Sequence, residues 1–273
     1  AAVAKALVDH ECVGVIHCAG FKFAGESVKR PLHTYQQNVT GTASVLDAMA
    51  FTGVTRLVFS SSAGVYGTPH VELVTEETTC TPESPYGESK LVAEWLIRAQ
   101  VAATASSDAP LNATSLRYFN VVGSGAIGVP DLSPHNLLPR VFATLARGEA
   151  PRINGDDYAT PDGTCVRDYV HVADLAQAHA TAAVALVSGQ ALEAVYNLGS
   201  GSGTSVKEIM TAIETVIGRE LNPEIGPRRP GDPARIVASG ELAARDLKWD
   251  PSHTVDQMVS TAYEASVATA GSV

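Results

Sequence analysis

The chain has 273 residues, 45% of them hydrophobic, and a formal net charge of -10. That length and composition can bury a substantial core in one large or two closely packed domains, and they exclude a disordered chain. The negative balance works against a broad nucleic-acid interface, which needs a basic face, whereas a nucleotide-sized anion needs only a few local Arg or Lys side chains.

The four cysteines, Cys12, Cys18, Cys80 and Cys165, form no C-x-x-C pair. Neither a disulfide framework nor a zinc knuckle is expected, and a reducing, cytoplasmic setting is the natural reading. No apolar stretch approaches the roughly 20 residues that span a bilayer, and residues 1–10 lack the basic and apolar regions of an export signal, so no membrane partner is expected.

In chain order, Ala1-Ala2-Val3-Ala4-Lys5-Ala6-Leu7 reads as the end of a helix already in progress. Short blocks at 13–18, 56–60, 112–118 and 195–198 are rich in β-branched residues and have the length of buried parallel strands. Between them, 31–51, 86–103 and 172–188 space their apolar residues as helices packing on a sheet do. Repeated βα units of this kind predict an α/β fold with a doubly wound parallel sheet. After Asn120 a Gly- and Pro-rich run, 123–134, leads to a helix ending at Arg147 and to the turn Asn154-Gly155-Asp156-Asp157. This marks the start of a smaller substrate-binding part. The tail predicts a helix over 205–217, a loop over 226–232 and helices over 240–246 and 255–268.

Chemistry is expected at Tyr86 and Lys90 in Ser84-Pro85-Tyr86-Gly87-Glu88-Ser89-Lys90. A four-residue helical spacing puts both side chains on one face. A free tyrosine, with a pKa of about 10, is a poor base near neutrality, and a nearby ammonium favours its phenolate. The competing reading is two surface residues on a helix, since Y-x-x-x-K arises by chance in roughly one such chain in six. The context is Phe59-Ser60-Ser61-Ser62-Ala63-Gly64-Val65-Tyr66-Gly67, a strand ending in hydroxyls at its C-terminal edge, where sites of such sheets lie. Ser62 can bridge a substrate hydroxyl and Tyr86, although three serines alone read more simply as a turn.

These segments belong to a longer ordered series: Val15-Ile16-His17-Cys18-Ala19-Gly20-Phe21-Lys22, Gly25-Glu26-Ser27, Asn38-Val39-Thr40-Gly41-Thr42, Leu116-Arg117-Tyr118-Phe119-Asn120, Asn136-Leu137-Leu138-Pro139, Asn154-Gly155-Asp156-Asp157-Tyr158, Gly163-Thr164-Cys165-Val166-Arg167-Asp168-Tyr169, Tyr196-Asn197-Leu198-Gly199 and Arg228-Arg229-Pro230-Gly231-Asp232. In this order the chain resembles the UDP-glucose 4-epimerases, extended short-chain dehydrogenases/reductases, nearly from end to end. The resemblance implies a Rossmann-type NAD-binding domain at 1–122, with 166–198 returning to it, and a smaller UDP-sugar domain at 123–165 and 199–273. It makes Tyr86 the acid/base, gives Lys90 the tuning of Tyr86 and a hold on the nicotinamide ribose, and sets Ser62 on the hexose 4-hydroxyl. Cys18, Ala19, Gly20, Phe21, Lys22, Gln37 and Phe119 would line the NAD site. Asn120, Asn136, Leu137, Arg167, Arg229, Asp232 and Ile236 would hold the UDP-sugar, with guanidinium groups matching a diphosphate and the Asp232 carboxylate accepting from a ribose hydroxyl. The competing readings are a solvated charged loop at Arg228-Arg229 and a local Arg167-Asp168 ion pair.

The resemblance further implies a homodimer and interconversion of UDP-glucose and UDP-galactose through a 4-keto sugar. Admission of UDP-GlcNAc and UDP-GalNAc is left open by Ile236, which stands where the family often has Tyr or Cys. Gln37 replaces the first asparagine of the family's Asn-Asn-Val element. The glycine-rich turn that carries the pyrophosphate at a helix N-terminus is not found in the sequence; the expectation is a fragment beginning roughly two βα units into the fold. The alternatives are another NAD-dependent nucleotide-sugar epimerase or decarboxylase, a 4,6-dehydratase, and a catalytically inactive fragment. Dehydratases usually place Asp-Glu after the strand-end hydroxyl residue, where this chain has Ala63-Gly64.

Overall fold

In the computed structural model, which describes residues 1–229 and 232–270, the four predicted blocks form one parallel sheet. Its strands are β1 (Val15–His17), β2 (Arg56–Ser60), β3 (Asn112–Tyr118) and, later in the chain, Val195–Leu198, in spatial order as written. Pro230 and Gly231, inside the expected loop 226–232, and residues 271–273 lie outside the described residues.

The alternation of β2 explains the two-sided packing. Leu57 and Phe59 face α1 (Ala2–Asp9) and the helices Gly41–Thr52 and Pro85–Thr104, meeting Leu7, Leu46, Met49, Ala93 and Ile97. Val58 points the other way, toward Leu175, Ala178 and Ala182 of the helix Val172–Val187 and Ala243, Leu247 and Trp249 of the tail. Leu57 is 0% and Phe59 1% exposed, each burial contributing about 1.5–3 kcal/mol. Helices on both faces make the sheet doubly wound, as the periodicity predicts.

Helix labels follow the chain: α2 (Ala24–Lys29), α3 (Pro31–Tyr35), α4 (Gly41–Thr52), α5 (Pro85–Thr104), α6 (Leu137–Ala146), α7 (Val172–Val187), α8 (Val206–Ile217), α9 (Glu241–Leu247) and α10 (Val255–Ala270). The predicted helix over 31–51 is continuous but carries a π-helical turn, Gln36–Thr40, between α3 and α4. Such turns insert a residue and rotate the side chains that follow. Helix α8 is closed at both ends by its sequence. Ser205 and Glu208 form a reciprocal capping box, and Gly218 terminates the helix at φ 70°.

The remaining strands are short: β4 (Asn120–Val122), β5 (Arg152–Asn154), β6 (Val166–Arg167), β7 (Tyr169–His171), β8 (the Val195–Leu198 strand), β9 (Thr204–Ser205), β10 (Glu224–Gly226) and β11 (Arg235–Ile236). β4 pairs with β7 and β5 with β10, while β6 sits between β11 and β9. A second core joins Leu138, Val141 and Phe142 of α6 to Ile209 and Ile213 of α8 and Met258 and Val259 near the chain's end. Among the described residues no helix is long and apolar enough to cross a membrane. Because the sheet is parallel, the residues following β1, β2, β3 and β8 all emerge at one edge, with the second core beyond it.

Candidate active site

At that edge the serines leaving β2 are fixed by local chemistry. Ser62 caps the short helical turn Ala63–Val65, its Oγ accepting the Gly64 N–H at 3.1 Å. Helix α5 starts opposite, with Pro85 in its first turn and Ser84 Oγ accepting the Gly87 N–H at 3.2 Å. This brings the Tyr86 ring and the Ser62 hydroxyl together around Gly64: a Cβ there would meet Ser62 Oγ at 3.4 Å and the ring at 3.5 Å. Burial raises the Tyr86 pKa, with the neighbouring Ser62 hydroxyl opposing it. Lys90, one turn along, donates its Nζ to Ser60 O at 2.8 Å rather than to the phenol. Burial pushes its pKa down to about 8, with Cys18 and Glu94 pulling the other way. The two share a helix face, Tyr86 lying against the serine turn and the Lys90 ammonium reaching the strand end.

These groups open on a cleft of about 2110 Å³. Of the residues expected at NAD, Cys18, Lys22, Ser62, Tyr86 and Phe119 line it. Of those expected at the UDP-sugar, Asn120, Asn136, Leu137, Arg167, Arg229, Asp232 and Ile236 line it too, so the structure brings twelve of the expected residues to one cavity. Ala19, Gly20, Phe21, Gln37 and Lys90 do not line it. Gln37 is exposed, while its neighbour Asn38 is 3% exposed. Asn38 Oδ1 accepts the Phe21 N–H at 2.6 Å and its Nδ2 donates to Phe21 O and Ser89 Oγ at 3.0 and 2.8 Å. Following the start of the π-helical turn, Asn38 clamps the loop after β1 to α5.

The polar side of the cleft is already internally paired. Arg167 and Asp232, expected on the diphosphate and the ribose, form an ion pair with each other. Arg229 Nε and Nη2 lie 3.2 and 3.1 Å from Asn154 when its amide is oriented to accept. Arg228 turns outward to Asp157 at 2.6 Å and fits the solvated-loop reading. The Arg167-Asp168 local pair is absent: Asp168 accepts instead from Ser200 N and Oγ, Gly201 N and Ala238 N.

Three cleft residues escape the sequence reading. Asp131 accepts Asn136 Nδ2 at 2.5 Å and stands 3.9 Å from Lys22 Nζ, linking a residue expected at the UDP-sugar to one expected at NAD. His179 donates its Nδ1 hydrogen to Leu175 O at 2.8 Å, which leaves Nε2 to accept Ser60 Oγ at 2.7 Å. A lone histidine at a core position of α7 was the available signal. Tyr118, inside a quoted motif, has its pKa raised by burial and by the Tyr86 hydroxyl nearby.

The family model described as "NAD dependent epimerase/dehydratase family" matches residues 1–199. The chain is 46% identical over 250 residues to UDP-glucose 4-epimerase 4 of Oryza sativa subsp. japonica, an alignment covering 89% of this chain and 66% of the relative. It is 42% identical to UDP-glucose 4-epimerase of Corynebacterium glutamicum, covering 88% and 72%. The chain thus spans just under two thirds of the rice protein. Among solved structures, UDP-glucose 4-epimerase of Stenotrophomonas maltophila with bound NAD and formylated UDP-arabinopyranose superposes with TM-score 0.91 at 38% identity, covering 100% of this chain and 81% of that one. The Bifidobacterium longum enzyme in complex with NAD+ and UDP gives 0.82 at 39%, covering 97% and 79%. A match over most of the chain in sequence, and over all of it in shape, places the chain in the NAD-dependent epimerase/dehydratase family, among the UDP-glucose 4-epimerases.

Proposed function

We propose that the protein interconverts UDP-glucose and UDP-galactose by reversible, NAD-dependent epimerisation at C4, an isomerase reaction. The observation that carries this reading is the convergence of the Ser62 hydroxyl and the Tyr86 ring on Gly64 at the sheet edge, in one cleft with Arg167, Arg229 and Asp232. The residues present fit the nicotinamide end of NAD: Cys18, Ser62, Tyr86 and Phe119 line that side, and a Cβ on Gly20 would meet Asn38 Oδ1 at 2.8 Å, so the loop carrying Ala19 and Phe21 is tightly held. NAD, when bound, supplies the hydride acceptor and donor and a pyridinium charge that favours the phenolate. Lys90, Lys22 and Gln37 belong to the same proposed cofactor side.

Ser62 accepts and relays the hydrogen bond of the sugar 4-hydroxyl, and Tyr86 takes the proton as C4 becomes a ketone. Tyr86 would return the proton to the 4-oxygen as C4 is reduced from the opposite face of the sugar. That reversal requires the hexose to turn while the UDP stays fixed. Arg167, Arg229 and Asp232, with Asn120, Asn136 and Leu137, hold the UDP, while the apolar Ile236 faces the hexose. Arg167 and Asp232 are mutually paired, so a diphosphate would share or replace that contact. In this reading 1–122 with 166–198 serve NAD and 123–165 with 199–273 serve the UDP-sugar, α9 of the latter packing against the main sheet. A homodimer in the cytoplasm completes the proposal, supported by exposed Phe51 and Trp95 on α4 and α5; light scattering giving a monomer would remove that part.

The proposal is tested by incubating the purified protein with NAD and UDP-galactose and resolving UDP-glucose by chromatography. Formation of UDP-glucose is expected, and its absence with NAD bound would defeat the assignment. Removal of C6 oxygen would instead indicate a dehydratase, which Ala63 and Gly64 disfavour.

Two further outcomes follow from named residues. Lys90, with its pKa near 8, carries its charge below that pH and loses it above. Turnover is expected to fall as pH rises through about 8, and the residual turnover of Lys90→Met to lack that decline. An identical alkaline decline in both would remove Lys90 from the account. Ile236 pairs with Arg167 across β11 and β6, which sets it beside the diphosphate side. Ile236→Tyr is expected to change the preference between UDP-glucose and UDP-GlcNAc by about tenfold, the low end for altered pocket packing; unchanged preference would discard it as a sugar gate.

A further inference from the structure

Tyr86, Lys90 and Glu94 recur at four-residue spacing on α5. Glu94 does not line the cleft and is 7% exposed. It accepts Arg117 Nε at 2.9 Å and Nη2 at 2.6 Å, a bidentate pair, and also Ser61 Oγ at 2.5 Å. The remaining Arg117 nitrogen, Nη1, donates to the Tyr66 hydroxyl at 2.8 Å, which donates to Asn197 Oδ1 at 2.7 Å. A buried ion pair is weak evidence of stability, because desolvation offsets much of its attraction. This one has a specific geometric consequence. Ser61 precedes the turn that carries Ser62 and Tyr66 follows it, so one ion pair holds the turn at both ends.

The same pair is rooted in the helix that carries Tyr86. The turn and the helix also touch without slack: a Cβ on Gly87 would meet Gly64 O at 2.3 Å, and one on Gly64 would meet the Tyr86 ring at 3.5 Å. A displacement of Glu94 or Arg117 therefore passes to the contact between Ser62 and Tyr86.

We infer that Glu94 and Arg117 are positioning residues that set the Ser62 hydroxyl against the Tyr86 phenol for proton transfer at the sugar 4-hydroxyl. The inference rests on the epimerase reading for its kinetic consequence, but not for its structural one. A 1 Å misplacement can cost about 100-fold in rate; part of that loss is expected here with no change in UDP-sugar binding, because neither residue reaches the cleft.

The test uses Ser61→Ala, which cuts one tie and keeps the ion pair, and the double variant Glu94→Met with Arg117→Met, which fills the space without charge. Such apolar replacement of a buried pair often keeps or raises stability. The readouts are kcat, KM for UDP-galactose, Tm, and the ring-carbon NMR signal of Tyr86, assigned through Tyr86→Phe. Expected are a kcat lowered at least about tenfold in both variants, KM within about twofold, and a shifted Tyr86 signal, with Tm of the double variant near that of the parent. If the double variant does not fold, Ser61→Ala decides by the same readouts. An unshifted Tyr86 signal in the folded variants, or a kcat that recovers along with Tm, overturns the positioning role. Should the parent protein itself not epimerise, the epimerase reading fails, and the Tyr86 signal still decides the positioning.

Discussion

Tyr86→Phe is expected to lower kcat by about 100- to 10,000-fold, the range for loss of a positioned acid/base, while leaving UDP-galactose affinity unchanged. The substitution removes one oxygen. Ser62 keeps its bond from Gly64 N at 3.1 Å, so the turn retains its cap. The ring still packs on Gly64, and no cleft group expected to hold the UDP depends on the phenol. Loss in kcat and kcat/KM together, with calorimetric Kd constant, is the signature of an interaction made in the transition state. Turnover within about threefold of the parent would remove Tyr86 from the chemistry, since even modest general catalysis exceeds that.

Asp168→Ala should cost about 1–3 kcal/mol of stability, by removing a shared acceptor and leaving the buried Ala238 N–H unsatisfied. Asp168 is 0% exposed, and burial raises its pKa. Its oxygens accept Ser200 N and Oγ, both at 2.7 Å, Gly201 N at 3.3 Å and Ala238 N at 3.1 Å. A Cβ on Gly199 would meet Asp168 Oδ2 at 2.5 Å, so the glycine after Leu198 is what lets the carboxylate reach these donors. Asp168 thereby ties the strip after β6 to the end of β8 and to the segment after Ile236. Urea denaturation measures the loss; a change below about 1 kcal/mol, the worth of one ordinary hydrogen bond, would contradict this role.

The main sheet was legible because its signals are local. Leu57, Val58 and Phe59 alternate between two helical layers, and the stripe Leu175, Ala178, Ala182 and Leu186 on α7 has the helical period. The three-residue pairs β4–β7 and β5–β10 and the two-residue strands β6, β9 and β11 are too short to display a period, so only the turn residues around them could be read. The pairing of Arg167 with Asp232 spans 65 residues and has no local signature. The motif order found Ser62 and Tyr86, whose meeting depends on a strand end and a helix start. It gave Lys90 to the phenol, whereas side-chain reach took the ammonium to Ser60 O. At the π-helical turn, invisible in the apolar pattern, Gln37 is exposed and Asn38 is the buried residue that holds the loop after β1.

The most direct measurement follows the hydrogen on C4. UDP-galactose carrying deuterium at C4 is incubated with the purified protein and NAD in ordinary water, and any UDP-glucose formed is examined by mass spectrometry and NMR. Transfer of C4 hydrogen to the cofactor and back, with Tyr86 moving only the hydroxyl proton, predicts that the product keeps its deuterium at C4. Replacement of that deuterium by solvent hydrogen would contradict the account.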